Sequence, residues 1–158
     1  MRKSVYVETT IPSAYVSRRV DVRSLARRQD TRDWWSRQRE HYNLVTSRHV
    51  LDELMRAEFP GQAEAVRLMD PITRLDINAD VIAIARVYVE EKLMPGPPDS
   101  GDAIHLAVAA YHGVDFVLTW NVQHLANPNK LEHMIVINRR LALLTPRIMM
   151  PYMLWWEA

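Results

Sequence analysis

Short apolar runs alternate along this chain with segments of helical spacing, and this alternation constrains the fold more than any other feature. The runs are rich in β-branched and aromatic residues and predict strands at 5–7, 44–46, 72–77 and 116–118. Strands that alternate with helices require right-handed crossovers and a sheet covered on both faces. We therefore predict an α/β fold, a three-layer sandwich in which helices flank a mostly parallel sheet of four to five strands.

The segments between these runs carry helical spacing and helix-ending residues. They predict helices that open at 11–13 and that span 31–42, 48–57, 62–69, 80–92 and 102–111. Residues 130–143 are compatible with a helix or with a short strand near 135–137, and 148–150 predicts an edge strand. No repeat or linker divides the chain, so we expect one domain over residues 1–158, with the last thirty residues least constrained by the pattern.

Composition removes several classes of protein. The 158 residues include no Cys, which excludes disulfide staples and Cys-ligated zinc and agrees with a reducing, cytoplasmic location. No apolar run approaches the ~18 residues of a membrane-spanning helix, and the N-terminal apolar stretch is interrupted by Glu8. The glycine motifs of nucleotide-binding loops are also missing.

Positive charge is concentrated in one segment of a chain whose net charge is only +1. Eight arginines and no lysine lie between Arg18 and Arg39. Guanidinium groups bind phosphates with two parallel hydrogen bonds and stack on bases, so the segment predicts a nucleic-acid contact. A solvated helix face with pairs such as Asp33 and Arg37 is the alternative.

Polar side chains stand where ligands bind to parallel sheets, at the carboxyl ends of the predicted strands. Glu8 follows the first strand, Asn121 follows the strand at 116–118, Asp102 begins the helix before that strand, and Glu53 lies on the helix after the second strand. If they meet, they form an oxygen-rich cluster without a histidine pair, which suits Mg²⁺ or Mn²⁺. Such an ion would activate water for attack on a phosphodiester.

Several of these residues also have a purely structural interpretation. Asp99 is expected to cap the helix that begins at Asp102, while Glu53 could be a solvated surface residue and Asn121 a turn residue or helix cap. His105 and His112 are expected to be packed or hydrogen-bonded, and only His124 is kept as a candidate contact of the site.

Four motifs occur together in this chain in a characteristic order. They are the segments Val7-Glu8-Thr9-Thr10-Ile11-Pro12-Ser13, Val50-Leu51-Asp52-Glu53-Leu54, Asp102-Ala103-Ile104-His105-Leu106-Ala107 and Leu118-Thr119-Trp120-Asn121. In order and spacing the set resembles the PIN-domain nucleases, especially VapC-type toxins, over residues 4 to about 127. The resemblance implies a PIN-like fold and a metal-dependent endoribonuclease.

The resemblance also implies roles for individual residues. Glu8, Glu53, Asp102 and Asn121 would be the catalytic metal ligands for Mg²⁺ or Mn²⁺, with Glu8 and Asn121 standing where the family more often has Asp. Asn121 keeps a carbonyl oxygen but loses a charge, so it would bind the metal less strongly or position water. Candidate substrate contacts are Thr9, Ser13, Arg18, Arg19, Arg27, Arg28 and His124.

The implied partners are an RNA substrate, a cognate antitoxin protein and a second copy in a homodimer, with no membrane. A PIN-like module that has lost catalysis and binds RNA or protein is the alternative function, and Asn121 motivates it. The aromatic pair Trp34-Trp35 and the Met- and Trp-rich tail at 149–156 predict core packing, with a homodimer or antitoxin surface as the other interpretation.

Overall fold

The computed structural model describes residues 1–157, in which five strands alternate with seven α-helices. The strands are β1 (Ser4–Val7), β2 (Asn43–Ser47), β3 (Thr73–Leu75), β4 (Phe116–Leu118) and β5 (Arg147–Met149). The helices are α1 (Thr10–Val16), α2 (Val22–Arg37), α3 (Arg48–Arg56), α4 (Gln62–Met69), α5 (Ala79–Glu90), α6 (Asp102–Tyr111) and α7 (Leu131–Arg140).

The five strands form one sheet in the order β3-β2-β1-β4-β5, and every neighbouring pair is parallel. The predicted α/β fold class is therefore confirmed, with β1 at the centre and the predicted edge strand present as β5. Val7 at the end of β1 is in register with Leu118 at the end of β4. Because the strands run the same way, the residues that follow β1, β2 and β4 emerge at one edge of the sheet.

The central strand and α6 are the most buried parts of the core. The side chains of Val5, Tyr6 and Val7 are fully buried, and residues 103–110 of α6 are buried along the whole helix. A strand covered on both faces and a helix that is apolar all round are expected of a parallel sheet between two layers of helices. Trp34 and Trp35 are also buried, which confirms their predicted packing in the core.

The predicted start of the second helix near Thr31 is wrong, because α2 begins nine residues earlier at Val22. Asp21 provides the start signal, since its side chain accepts a hydrogen bond from the Ser24 backbone N–H at 3.1 Å. Val22 itself is exposed, so apolar spacing could not reveal this first half of the helix. The arginine-rich segment is consequently helical over most of its length.

The ambiguity at 130–143 is resolved in favour of a helix, α7, which is anchored by a buried amide. Asn138 is fully buried, and its Oδ1 accepts a hydrogen bond from the Tyr88 hydroxyl at 2.5 Å while its Nδ2 donates to Thr145 Oγ1 at 3.0 Å. A buried amide must have its hydrogen bonds satisfied, so this pair fixes α7 against α5.

The expected cap of α6 is wrong. Gly101, not Asp99, occupies the N-cap position of α6, and Asp99 is exposed. The residues after Asn121 form turns instead of a helix, although the Asn121 side chain does accept the His124 backbone N–H.

The C-terminal tail divides between core and surface. Leu154 is buried and its carbonyl accepts a hydrogen bond from Trp34 Nε1 at 2.8 Å, whereas Trp156 is 48% exposed and stacks on His41. The tail therefore packs on α2 and leaves part of its aromatic surface in solvent. No helix within residues 1–157 combines the length and apolar character that crossing a bilayer requires.

The turn before α4 depends on a glycine. Gly61 has a φ of +88°, and a Cβ there would lie 2.9 Å from Val16 Cβ, whereas Gly113 has a φ of +67° with no atom within 4 Å of such a Cβ. We predict that Gly113→Ala costs about 1 kcal/mol of unfolding free energy from backbone strain alone. Gly61→Ala should cost a further 1–3 kcal/mol or so because the added methyl group overpacks the contact with α1. Urea denaturation of both variants measures the difference in unfolding free energy. Equal losses in the two variants would contradict the predicted steric contact with Val16.

Candidate active site

Glu8 is held in a buried position at the carboxyl end of the central strand. Its backbone N–H donates to Leu118 O at 3.1 Å, which continues the pairing of β1 with β4. Its Oε2 accepts three hydrogen bonds, from the Thr10 N–H at 2.9 Å, the Thr10 hydroxyl at 2.5 Å and the Thr119 hydroxyl at 2.9 Å. The three bonds fix one carboxylate oxygen, and Oε1 accepts none from residues 1–157.

The electrostatic environment of Glu8 lacks a basic partner. Burial raises the pKa of Glu8, while the charge of His105 and the threonine hydrogen bonds act in the opposite direction. Among residues 1–157, no lysine or arginine forms an ion pair with it. A buried carboxylate in such a position gains stability in its charged form when a cation lies beside it.

Glu53 projects from α3 toward the same edge of the sheet. Its Oε1 accepts hydrogen bonds from the Thr9 hydroxyl at 2.5 Å and from His105 Nε2 at 2.6 Å. Burial acts to raise the pKa of Glu53, but the hydrogen bond and charge of His105 outweigh it and lower the pKa overall. The Glu53 side chain is 28% exposed, so solvent reaches this carboxylate although its hydrogen-bond partner His105 is buried.

His105, on the fully buried helix α6, connects Glu53 to the central strand. Its Nδ1 lies 2.8 Å from the Tyr6 hydroxyl, which lies 2.7 Å from Ser47 Oγ. Burial acts to lower the pKa of His105, but the hydrogen bond to Glu53 and the surrounding carboxylates outweigh it and raise the pKa. Both ring nitrogens therefore lie within hydrogen-bond distance of an oxygen, Nε2 of Glu53 and Nδ1 of Tyr6.

Of the three predicted carboxylates, Glu53 contacts His105 directly, and Glu8 and Asp102 act on it through their charge. Asp102 lies in the first turn of α6, is partly exposed, and adds its charge to those of Glu8 and Glu53 in raising the pKa of His105. Asn121 is connected through its backbone, because its N–H donates to Thr119 Oγ1 at 2.9 Å and that hydroxyl donates to Glu8. The Asn121 side chain points into the following turn.

The expectation that the cluster has no histidine pair is wrong. His49 lies one helical turn before Glu53 on α3 and is only 5% exposed, and its Nε2 is 3.8 Å from Glu53 Oε1. Burial and the neighbouring His105 lower the pKa of His49. The two rings are 4.7 Å apart between centroids. The i,i+4 spacing of His49 and Glu53 is the only sequence signal for this contact, and it is weak alone.

A cavity of about 450 Å³ opens beside Glu53 and is lined by Thr9, Ser13, Arg18 and Arg19. Its remaining wall is mostly apolar and is formed by Leu54, Ala57, Phe59 and Pro60. The guanidinium groups of Arg18 and Arg19 make no hydrogen bond within residues 1–157. The cavity thus combines basic and apolar groups next to a carboxylate.

Other members of the arginine segment are bound within the protein. Arg27 lies over the Trp120 ring at 5.3 Å, and Arg28 donates to the Ser17 carbonyl at 3.2 Å. Similar contacts with aromatic rings are made by Arg32, Arg37 and Arg39. The alternative pair of Asp33 with Arg37 is not formed within residues 1–157, since Asp33 accepts from Gln29 instead. His124 is half-buried and 3.4 Å from Lys130 Nζ.

The predicted oxygen ligands are of the type that a hard divalent ion binds, but within residues 1–157 the only three acidic and histidine side chains with ligand atoms all within 4.8 Å of one another are His49, Glu53 and His105. Glu8 offers a carboxylate oxygen without a hydrogen bond from the described residues, and Asp102 makes no side-chain hydrogen bond within them. Carboxylate oxygens are the ligands that Mg²⁺ and Mn²⁺ prefer. The catalytic role of these residues stays a prediction.

Comparison with known proteins identifies one family, and solved structures with the same fold are among its matches. A family model described as PIN domain matches residues 5–126. VapC20 of Mycobacterium tuberculosis, described as a sarcin–ricin loop cleaving toxin, superposes with a TM-score of 0.58 at 19% identity, over 78% of this chain and 95% of that one. No curated protein matches the sequence.

Two further solved structures share the fold. VapBC2 of Rickettsia felis, bound to a DNA fragment from their promoter, gives a TM-score of 0.57 at 12% identity over 93% of this chain and 98% of that one. FitAcB of Neisseria gonorrhoeae superposes with a TM-score of 0.52 at 13% identity, over 95% of this chain and 99% of that one. At such low identity the structures establish similarity of fold alone.

The Tyr6 hydroxyl supports both His105 and Ser47, and Tyr6→Phe removes it without changing the ring. We predict that the variant loses about 1–3 kcal/mol of unfolding free energy, because two buried polar groups lose a partner. Tyr152→Phe is the matched control, since Tyr152 is 55% exposed and its loss should stay within about 0.5 kcal/mol. Denaturant unfolding in EDTA measures the stability of both variants. Equal unfolding midpoints for Tyr6→Phe and Tyr152→Phe would contradict the hydrogen bonds of the buried Tyr6 hydroxyl.

Proposed function

This chain belongs to the PIN-domain family, and from that membership we propose that it is a metal-dependent endoribonuclease that hydrolyses RNA phosphodiester bonds. The observation that supports the proposal most is the position of Glu53, which contacts His105 and lines the same cavity as Arg18 and Arg19, while the charges of Glu8 and Asp102 also act on His105. Acidic groups and a phosphate-binding surface side by side are what phosphodiester hydrolysis on a dication requires.

The proposed ligands are Glu8, Glu53 and Asp102, with Asn121 assisting through its carbonyl oxygen. A bound Mg²⁺ or Mn²⁺ would supply charge neutralisation for the phosphodiester and an activated water. Thr10 and Thr119 act as positioning residues, because their hydroxyls hold the Glu8 carboxylate in one orientation. Thr9 does the same for Glu53.

The substrate strand is proposed to enter along the cavity beside Glu53. Arg18 and Arg19 provide guanidinium groups that are free to pair with phosphate oxygens, and Ser13 offers a hydroxyl nearby. Arg27, which lines an adjoining cavity with Arg19, and Arg28 would contribute positive charge while they stay bound to Trp120 and Ser17. His124 and Lys130 lie beside Asn121 and extend the polar surface on the other side.

We further propose that the protein is the toxin of a toxin–antitoxin pair, with a protein antitoxin and a homodimeric form. The likeness in fold to the toxin VapC20 and to the VapBC2 and FitAcB structures supports this assignment. The exposed part of the aromatic tail, Tyr152 to Trp156, is a surface of the composition that protein contacts favour.

A second candidate is a PIN-domain protein that binds RNA or a protein without cleaving. The observation that favours it is the Asn121 side chain, whose carbonyl oxygen accepts the His124 N–H in place of the fourth carboxylate that the family more often has. The two candidates differ in one measurable property, because the second binds RNA while leaving it intact in the presence of Mg²⁺ or Mn²⁺.

Cleavage of short single-stranded RNAs tests the first candidate directly. We predict that Glu53→Gln and Asp102→Asn each lower the cleavage rate at least about 100-fold, because each removes a charge from the ion-binding set. EDTA should abolish cleavage by the unmodified protein. The matched control is Asp99→Asn, which removes an exposed charge three residues before Asp102 and should leave the rate unchanged. Full activity in both site variants would refute the proposed ligands.

Binding of uncleaved RNA as a function of salt tests the role of the arginine pair. We predict that Arg18→Gln with Arg19→Gln lowers the salt slope of the binding constant by about 1.4, since each contact with a single strand releases about 0.7 counterion. Arg139→Gln with Arg140→Gln removes the same charge from the exposed end of α7 and serves as the control. Measurements use the Asp102→Asn background, and identical slopes for the two pairs would show that RNA binds elsewhere.

A further inference from the structure

A buried nitrogen without a partner lies next to the candidate active site. His49 is 5% exposed, and its Nε2 is the one buried side-chain nitrogen or oxygen within residues 1–157 that has no hydrogen-bond partner. A buried polar atom left unpaired costs about 1–3 kcal/mol, so native proteins seldom keep one without a reason. An ion that binds to this nitrogen would be such a reason.

The atoms around His49 Nε2 have the arrangement of a ligand set. One nitrogen of His49, one nitrogen of His105 and one carboxylate oxygen of Glu53 all lie within 4.8 Å of one another. The distances from Glu53 Oε1 are 3.8 Å to His49 Nε2 and 2.6 Å to His105 Nε2. Two ligand atoms of a tetrahedral zinc ion are about 3.4 Å apart, so small side-chain movements suffice.

From this geometry we propose that His49, Glu53 and His105 form a binding site for a zinc-class transition-metal ion, distinct in chemistry from the carboxylate site that shares Glu53. Two imidazoles and one carboxylate form a donor set typical of Zn²⁺, which leaves a fourth position for water. Mg²⁺ prefers oxygen ligands in an octahedron and is poorly served by these groups.

The surroundings of His105 suit a metal ligand. When Nε2 binds an ion, the proton that it shares with Glu53 is released, and Nδ1–H can donate to the Tyr6 hydroxyl, which in turn donates to Ser47. Hydrogen bonding of the second ring nitrogen is the usual way in which proteins orient a ligating histidine. Tyr6 and Ser47 therefore form the outer support of the site.

An ion can reach these ligands from two sides. Glu53 lines the cavity of about 450 Å³ that also holds Arg18, and His49 lines a second cavity of about 390 Å³ on the other face of α3. Because a carboxylate has two oxygens, Glu53 can serve this ion and the hard ion together, as in two-metal hydrolytic sites. That bridging depends on the proposed function, whereas the zinc-class site does not.

Titration with Co²⁺, whose visible absorption reports its ligands, tests the site without RNA. We expect one equivalent to bind with the d–d bands of a nitrogen-ligated ion that a large excess of Mg²⁺ does not remove. His49→Gln should weaken Co²⁺ binding at least about 100-fold, and Tyr6→Phe about 10- to 100-fold through loss of the outer support. His133→Gln, which removes an exposed histidine from α7, is the control and should bind normally.

Equal Co²⁺ affinity in His49→Gln and His133→Gln would overturn the proposal, as would displacement of Co²⁺ by Mg²⁺. If His49→Gln does not fold, X-ray absorption of the zinc-loaded unmodified protein decides, because two imidazoles at about 2.0–2.1 Å support the site and fewer refute it. These results are separate from RNA cleavage, so a failure of the nuclease proposal and a failure of this site are distinguishable.

Discussion

The fixed position of the Glu8 carboxylate is the constraint on which this edge of the molecule depends. A carboxylate that is only 3% exposed needs hydrogen bonds to stabilise its charge, and Oε2 receives two from Thr10 at the start of α1 and one from Thr119 after β4. Thr119 connects that carboxylate to the end of β4 and, through its hydroxyl, to the Asn121 backbone. The loop after β4 is therefore built around the end of β1.

The order of the strands explains why residues so distant in sequence meet there. With β1 between β2 and β4, the loop after β1 lies beside both α3 and the end of β4, so Glu8 and Thr9 can contact residues from each. Helix α6 crosses the buried face and delivers His105 to Tyr6 on the central strand. The topology thus places Glu8, which follows β1, and Glu53 of α3 near His105. The His105 ring is itself hydrogen-bonded to Tyr6 on the central strand.

Much of the fold could be predicted from the sequence, because β1, β4 and α6 combine apolar runs with clear end signals. The start of α2 could not, since its first turns carry arginines and exposed Val22, and only the Asp21 cap marks them. For the site, Glu8 and Asp102 could be proposed because they follow a strand and begin a helix, and Glu53 because it lies on the helix after the second strand. The histidine pair could not, because His49 and His105 lie on different helices and meet only through tertiary packing.

Asn121 can be understood through the charges that surround it. Burial raises the pKa of Glu8, and the hydrogen bond to Glu53 with the charges of Glu8, Glu53 and Asp102 raises the pKa of His105 against the effect of its burial. A further negative charge close to these groups would therefore be unfavourable. A carboxylate in place of Asn121 would add such a charge beside Thr119, whose hydroxyl donates to Glu8. The neutral amide avoids that charge, and its carbonyl oxygen accepts the His124 N–H and fixes the turn after β4.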